Sequence, residues 1–156
     1  MVTVAADVMT KPVISVRPQT GVAEIAALLT SKSISAVPVV NDDGTLAGMI
    51  SEGDILRPFT ESARLKRDWW LGLLAAGQEL SQTFLDYIRF DTRTAAELMV
   101  RRVITANEQA TLPELAELMV KNGVKRIPIV QDGKLIGIVS RADLIHAIAR
   151  APAMLV

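Results

Sequence analysis

The chain has 156 residues and a mass of 16.9 kDa, about the size of a single domain. Half of its residues are hydrophobic but only 4% are aromatic, so we expect a core of aliphatic side chains. Seventeen basic and seventeen acidic residues cancel, which argues against a nucleic-acid partner held by bulk charge. With no cysteine and a single histidine, His146, the sequence excludes disulfides and thiolate metal sites and disfavours zinc binding and histidine catalysis.

A membrane span has to be considered, because the mean hydropathy of +0.32 is high for a soluble protein. A spanning helix needs about 20 mostly apolar residues, and the longest stretch without a charged residue is only residues 69–78. The N-terminal residues lack the basic start and apolar run of a secretory signal. We therefore expect no membrane span and a cytoplasmic location.

The chain repeats itself after about ninety positions. The matched stretches are residues 6–15 with 96–105, residues 37–44 with 127–133, and residues 46–56 with 135–145. Each copy has about fifty residues, which is below the size at which a lone domain usually folds well. Two copies packed together can bury faces that neither copy could bury alone.

Each copy is predicted to run strand, helix, strand, strand, helix. In the first copy an extended piece at residues 13–16 ends before Pro18, because the residue before a proline is pushed out of the helical region. A helix follows Gly21, and in the second copy residues 111–114 form a capping box ahead of the matching helix. The predicted buried faces of these helices are Val22, Ile25 and Leu29 in the first copy and Leu112, Leu115 and Met119 in the second.

The second half of each copy is predicted as a hairpin followed by a helix. In the first copy two runs rich in β-branched residues, 36–40 and 46–50, have the length of strands, and residues 41–44 form the turn. Ser51, like Ser140 in the second copy, then begins the last helix.

Residues 58–93 separate the first motif, residues 1–57, from the second, residues 94–156. They lack the composition of a flexible linker, hold all six aromatic residues and are predicted as two helical segments broken near Gly77. Their apolar stripes are Leu65, Trp69 and Leu73, and Leu80, Phe84, Tyr87 and Ile88. Two interpretations stay open: a helical hairpin that packs over the repeats, or a self-association surface.

The two copies resemble a pair of CBS motifs, the tandem unit called a Bateman module. The residues that carry the resemblance are residues 7–9 and 97–99, the strands with Pro38 and Pro128, and the two Leu-x-Gly-x-x-Ser-x-x-Asp runs at 46–54 and 135–143. It covers about residues 4–57 and 94–148. The insertion resembles that of bacterial stand-alone CBS-pair proteins, which often carry a C-terminal BON domain; we expect no such domain within these 156 residues.

The resemblance implies a mixed α/β fold (α+β), with two βαββα units about a pseudo-twofold axis and their sheets packed together. It also implies that adenosine-containing ligands bind in the clefts between the copies, and that two such pairs associate as a disc-shaped homodimer.

The Ser-x-x-Asp run at the start of each last helix has two interpretations. It is an ordinary reciprocal helix cap, which stabilises a helix start by about 1 kcal/mol. The same geometry presents backbone N–H groups that suit phosphate and a carboxylate that can accept hydrogen bonds from ribose hydroxyls. By the resemblance, Asp54 and Asp143 would hold ribose, while Ser51 and Ser140 would lie near phosphate.

The resemblance also implies residues for the adenine and for the walls of the site. The extended segments would contact adenine through Ile14 and Ser15 in the first copy and Ile104 and Thr105 in the second. Pro38 and Pro128 would line the site, unless they simply pack in the sheet core.

The two copies differ in charge near the Ser-x-x-Asp run. The second copy has Lys125 and Arg126 before its first hairpin strand and Arg141 after the serine, whereas the first copy has Ser35, Ala36 and Glu52 at those positions. Because arginine favours a nearby phosphate and glutamate disfavours it, we expect the Asp143 site to prefer a phosphorylated ligand. The Asp54 site is expected to be weaker or empty.

Other motifs carry little chemistry. The Asp-Gly turns at residues 42–44 and 132–133 fit hairpins better than a metal site, and His146 fits a helix surface. No phosphate-binding loop, zinc motif or nucleophile motif is present, so an enzyme is disfavoured. We predict a non-enzymatic regulatory module that needs no metal or cofactor apart from its regulatory ligand.

The predicted ligand is an adenosine compound, with AMP, ADP, ATP, S-adenosylmethionine and NAD all open, and a partner protein would read the change that it causes. The alternative is an interaction or scaffold protein with vestigial ligand clefts, in which the insertion is the functional surface.

Overall fold

The structure is a computed structural model, and it describes residues 2–57 and 92–151. The elements in these ranges are helices α1 (Ala5–Val8) and α2 (Val22–Ser31), strands β1 (Ala36–Val40) and β2 (Leu46–Ser51), helix α3 (residues 52–57), helices α4 (Ala95–Leu98) and α5 (Leu112–Asn122), strands β3 (Arg126–Gln131) and β4 (Lys134–Ser140), and helix α6 (Arg141–Arg150). Apart from residues 92 and 93, the insertion lies outside the described residues, and so do its predicted helices and self-association surface.

The predicted mixed α/β fold is confirmed. Strand β1 pairs with β2, and β3 pairs with β4 in an antiparallel ladder. The first predicted strand of each copy is shorter than expected, because the extended segment joins its hairpin by a single parallel bridge. These bridges link Val16 to Val39 and Ala106 to Ile129. No helix in residues 2–57 and 92–151 is long and apolar enough to cross a bilayer.

The chain forms two compact units, and each unit is assembled from segments that are not contiguous in the sequence. Within the described residues, what we call the second-copy unit contains residues 2–15, 40–46 and 102–151, and the first-copy unit contains residues 16–39, 47–57 and 92–101. In the second-copy unit Ala5 N–H donates to Ala110 O at 2.8 Å. In the first-copy unit Ala95 N–H donates to Thr20 O at 2.8 Å. Each unit thus includes the short helix that opens the other copy.

Each unit has its own apolar core, built from the helix faces that the periodicity predicts. The buried residues of the first-copy unit are Val16, Val22, Ile25, Leu29, Val37, Val39, Ile50, Ile55 and Ala95. Those of the second-copy unit are Ala5, Leu112, Leu115, Met119, Ile127, Ile129, Val139, Leu144 and Ala147. The predicted faces of α2 and α5 are therefore confirmed.

The Asp-Gly runs form the predicted hairpin turns. Asp132 and Gly133 have φ angles of 53° and 78° and join Gln131 to its partner Lys134 in a two-residue turn. This is the left-handed conformation that Asn-Gly and Asp-Gly hairpin turns favour. In the first copy the Asp43 carboxylate accepts hydrogen bonds from Thr45, and these bonds lower the pKa of Asp43 below its ordinary value.

Candidate functional site

The Ser-x-x-Asp run of the second copy forms a reciprocal helix cap at the start of α6. Ser140 N–H donates to Asp143 Oδ2 at 2.8 Å, and Asp143 N–H donates to Ser140 Oγ at 3.1 Å. The structural interpretation of this run is therefore correct. The cap engages only one carboxylate oxygen of the half-buried Asp143. Its Oδ1 atom has no hydrogen-bond partner among the described residues.

Basic residues predicted for this site lie together at the same end of α6. Arg141 N–H donates to Lys125 O at 2.9 Å, so the first residue of the helix contacts the residue before β3. Lys125 and Arg141 are exposed and Arg126 is half-buried. Because the dipole of a helix attracts anions to its N-terminus, and basic side chains do the same, this arrangement suits a phosphate near the start of α6.

A cavity of about 340 Å³ lies beside Asp143. Its polar lining consists of Asp7, Asp143, His146 and Arg150 together with Thr3, and its volume is in the range of small-molecule sites. Sequence reasoning did not place Asp7 or Arg150 at the site. A signal was available for Arg150, which lies seven positions after Asp143 and so two turns along the same helix face.

The residues predicted to contact adenine, Ile14, Ser15, Ile104 and Thr105, do not line the cavity beside Asp143. Thr105 lines a separate cavity of about 410 Å³ next to Glu114 and Lys121 of α5, so it does not share the lining of the Asp143 cavity. Ile104 is half-buried, whereas Ile14 is 40% exposed and Ser15 is also exposed. The exposed apolar surface of Ile14 is available for a ligand.

Pro38 and Pro128 lie at the centres of β1 and β3 and are less than 2% exposed. Their carbonyl groups accept hydrogen bonds from Val16 N–H at 3.0 Å and from Ala106 N–H at 3.2 Å. A wall residue needs open surface, so burial favours the alternative in which both prolines pack in the sheet core.

In the matching run of the first copy, both carboxylate oxygens of Asp54 accept hydrogen bonds. Asp54 Oδ2 accepts hydrogen bonds from Ser51 N–H at 2.9 Å and from Ser51 Oγ at 3.0 Å. Asp54 Oδ1 accepts one from Arg57 Nη2 at 3.0 Å. Glu52 N–H donates to Ser35 O at 2.9 Å, which is the bond that Arg141 makes to Lys125 in the second copy. The two runs therefore share a backbone geometry and differ in their side chains.

The pattern of the CBS domain matches the chain twice, over residues 4–61 and 95–150. The chain belongs to the CBS-domain family. It carries two CBS domains in tandem, as the repeat predicts, and short strands and helices arranged as in CBS pairs.

Relatives and solved structures resemble this CBS pair over nearly its whole length. Protein MJ1426 of Methanocaldococcus jannaschii is 36% identical over 150 residues, 91% of this chain and 89% of that protein. The crystal structure of CBSX2 of Arabidopsis thaliana in complex with AMP is 27% identical with a TM-score of 0.72, covering 96% of this chain and 98% of that one. The CBS pair of MJ0100 in complex with 5′-methylthioadenosine and S-adenosylmethionine is 26% identical with a TM-score of 0.66, covering 94% and 99%.

The described parts of the CBS pair contain no cluster of side chains suited to a metal ion. Residues 2–57 and 92–151 contain no group of three or more histidine and acidic side chains that could hold a metal ion. The polar groups at the start of α6 are a carboxylate and basic side chains, which suit a ligand with both hydroxyl and anionic groups.

Proposed function

We propose that this CBS pair is a non-enzymatic regulatory module that binds an adenosine-containing ligand at Asp143. The observation that carries the proposal is the half-buried Asp143, whose Oδ1 accepts no hydrogen bond from the described residues and which lines a cavity of about 340 Å³ with His146 and Arg150. The basic residues Lys125, Arg126 and Arg141 lie at the start of the same helix and do not line that cavity. Ribose hydroxyls donate hydrogen bonds, and an ionised carboxylate only accepts them. The bond from Ser140 N–H holds the carboxylate in one orientation, so the second oxygen is ready to accept.

The basic residues favour a phosphorylated ligand. Arg141 is the first residue of the ten-residue helix α6, and its N–H donates at 2.9 Å to the carbonyl of Lys125, the residue before β3. Hydrogen bonds between such cations and phosphate are charge-assisted and stronger than neutral ones. AMP, ADP and ATP combine a ribose for Asp143 with an anionic group for this end of the helix. S-adenosylmethionine and NAD remain candidates of the same class.

The solved relatives support this class of ligand. CBSX2 is seen with AMP, and the MJ0100 pair with 5′-methylthioadenosine and S-adenosylmethionine, all of which contain adenosine. We extend to this chain the adenosine moiety that these ligands share.

Regulation requires that the ligand binds one state of the protein more tightly than another. Tenfold tighter binding to one state shifts the balance by about 1.4 kcal/mol. We propose that this shift changes a homodimer of the pair and is read by a partner protein, as the resemblance to bacterial stand-alone CBS-pair proteins implies.

Calorimetry and thermal shift with AMP, ADP, ATP, S-adenosylmethionine and NAD test the proposal. Ligand at about 100 Kd should stabilise the fold by about 2.7 kcal/mol and raise Tm by roughly 5–10 °C. Asp143→Asn should remove this effect, because its amide oxygen can still cap Ser140 N–H while its NH₂ group cannot accept a ribose hydroxyl.

Asp54→Asn is the matched control in the first copy and should leave affinity unchanged. If Asp54→Asn abolished binding and Asp143→Asn did not, the site would be assigned to the wrong copy. If none of the five compounds changed Tm at millimolar concentration, the proposal would fail and the scaffold alternative would be favoured.

A further inference from the structure

The two copies place different side chains three positions after the motif aspartate. Arg57 follows Asp54, and His146 follows Asp143 at the same spacing. Side chains three residues apart on a helix are neighbours, so each of these residues is positioned to reach its aspartate. Arg57 does so, since its Nη2 atom donates to Asp54 Oδ1 at 3.0 Å. His146 instead lines the cavity beside Asp143, and in the described part of the chain Asp143 Oδ1 accepts no hydrogen bond.

The arginine that binds the first-copy carboxylate is itself exposed, whereas the carboxylate is buried. Asp54 is only 5% exposed, whereas the Arg57 side chain is 61% exposed. The Ser51 amide and hydroxyl already occupy Oδ2. A ribose that approaches Asp54 must therefore displace a charge-assisted hydrogen bond before it can form its own. A ribose that approaches Asp143 displaces no such bond.

We infer that the residue three positions after each motif aspartate decides whether that copy binds ligand. Arg57 occupies the Oδ1 atom of Asp54, whereas His146 leaves the Oδ1 atom of Asp143 available to a ligand. The chain therefore binds one ligand although it carries two copies of the site. This inference rests on the proposed function and adds a residue that controls occupancy of each copy.

A competing explanation of the asymmetry uses charge alone. Glu52 in the first copy would repel a phosphate that Arg141 attracts in the second. The two explanations differ for adenosine, which has a ribose but no phosphate. The Arg57 ion pair excludes adenosine from the first copy, whereas Glu52 has no phosphate to repel.

Exchanging the two residues tests the inference by titration calorimetry with AMP and with adenosine. The wild type should bind one molecule per chain, and Arg57→His should bind a second molecule of either compound. His146→Arg should weaken binding about tenfold or more, since it places a charged donor on Asp143 Oδ1. Unchanged stoichiometry in Arg57→His, or unchanged affinity in His146→Arg, would overturn the inference.

Three further variants distinguish the effect of the ion pair on binding from the effects of added charge and of added side-chain length. Arg101→Ala removes another exposed arginine of the first-copy unit and should not create a second site. Ala149→Arg adds a charge to α6 away from Asp143 and should bind as the wild type does. His146→Met adds length without charge and should weaken binding less than His146→Arg does. A second site in Arg101→Ala, or weakening in His146→Met equal to that in His146→Arg, would contradict a specific ion pair.

A measurement without ligand separates this inference from the proposed function. In a thermal-unfolding cycle, Arg57→Ala and Asp54→Asn should be coupled, and His146→Arg should create the same coupling with Asp143→Asn. If the wild type bound neither AMP nor adenosine, the proposed function would fail while the cycle still reported the ion pair. A cycle without coupling at residues 54 and 57 would overturn the inference even if AMP bound.

Discussion

Replacing Gly48 or Gly137 with alanine places a methyl group against a methionine that packs on a strand. A Cβ on Gly48 would lie 2.6 Å from Val100 O and 2.8 Å from Met99 Sδ. A Cβ on Gly137 would overlap Met9 Sδ and lie 2.8 Å from Met9 Cγ. Both substitutions should destabilise the fold, but for different reasons. At Gly48 the nearest atom is a backbone oxygen, which must move, whereas at Gly137 the three nearest atoms all belong to the Met9 side chain.

The difference sets the expected magnitudes. Overpacking costs about 1–3 kcal/mol, and at Gly48 the displaced Val100 carbonyl also accepts Met49 N–H at 2.9 Å. Straining that hydrogen bond adds about 1 kcal/mol. Gly48→Ala should therefore lower the free energy of unfolding by about 2–4 kcal/mol, or Tm by roughly 5–15 °C. Gly137→Ala should lose about 1–2 kcal/mol, because Met9 can adopt another rotamer.

Urea denaturation of single and double variants checks this reasoning. In a Met9→Ala background, Gly137→Ala should change stability by no more than about 0.5 kcal/mol, since the two closest atoms, Met9 Sδ and Cγ, are gone and only Cβ at 3.1 Å remains. Met99→Ala should not rescue Gly48→Ala, since Val100 O remains. Gly53→Ala is a control: its Cβ would lie 3.6 Å from Ser51 Oγ, and alanine in the helix should gain about 0.5–1 kcal/mol. Equal rescue at both sites, or a stable Gly48→Ala, would refute the argument.

Two further predictions concern a helix end and a turn. Ser33 after α2 and Gly123 after α5 have left-handed φ angles of 53° and 63°, so Ser33→Gly should gain and Gly123→Ser should lose about 1 kcal/mol in urea denaturation; equal stabilities would contradict this. Hydrogen bonds from the Thr45 side chain and backbone hold the pKa of Asp43 below 3.8. A carboxyl with a lowered pKa stabilises the fold above its unfolded value and loses that contribution as pH falls through the folded pKa, here below 3.8. Thr45→Val should raise the pKa of Asp43 in an NMR titration, and an unchanged value would show that the side-chain bond is unimportant.

The features that could be predicted from the sequence depend on residues close together in the chain. The buried faces of α2 and α5 follow from spacings of three and four residues, and the Asp132 turn from a two-residue loop signal. The helix cap at Ser140 and Asp143 is a pattern of four residues. The internal repeat strengthened the predictions of the helix faces and of the cap, because the same patterns appear at equivalent positions in both copies.

The features that could not be predicted depend on pairings between distant residues. The bond from Ala5 N–H to Ala110 O assigns the start of the first copy to the second-copy unit, and a four-residue helix has no periodicity that would reveal this partner. The extended segments at Val16 and Ala106 were predicted as strands, but each joins its hairpin by a parallel bridge of a single residue. The sequence of an extended segment does not show how many residues pair with a distant strand. The Arg57 ion pair is a local exception. Its spacing of three from Asp54 was a usable signal, but the sequence analysis considered Asp54 only as a helix cap and a ribose ligand.

The comparison of the two copies separates what packing requires from what it leaves free. Both copies have a glycine against which a methionine packs. Both also have a backbone hydrogen bond from the first residue of the last helix to the residue before the hairpin, Glu52 N–H to Ser35 O and Arg141 N–H to Lys125 O. Changes there would disturb the core. The copies differ at the side chains of these helix-start residues and at the third residue after the aspartate, where solvent could accommodate any polar group. These differences, on a backbone that the two copies share, are the observations from which we propose that the two sites bind unequally.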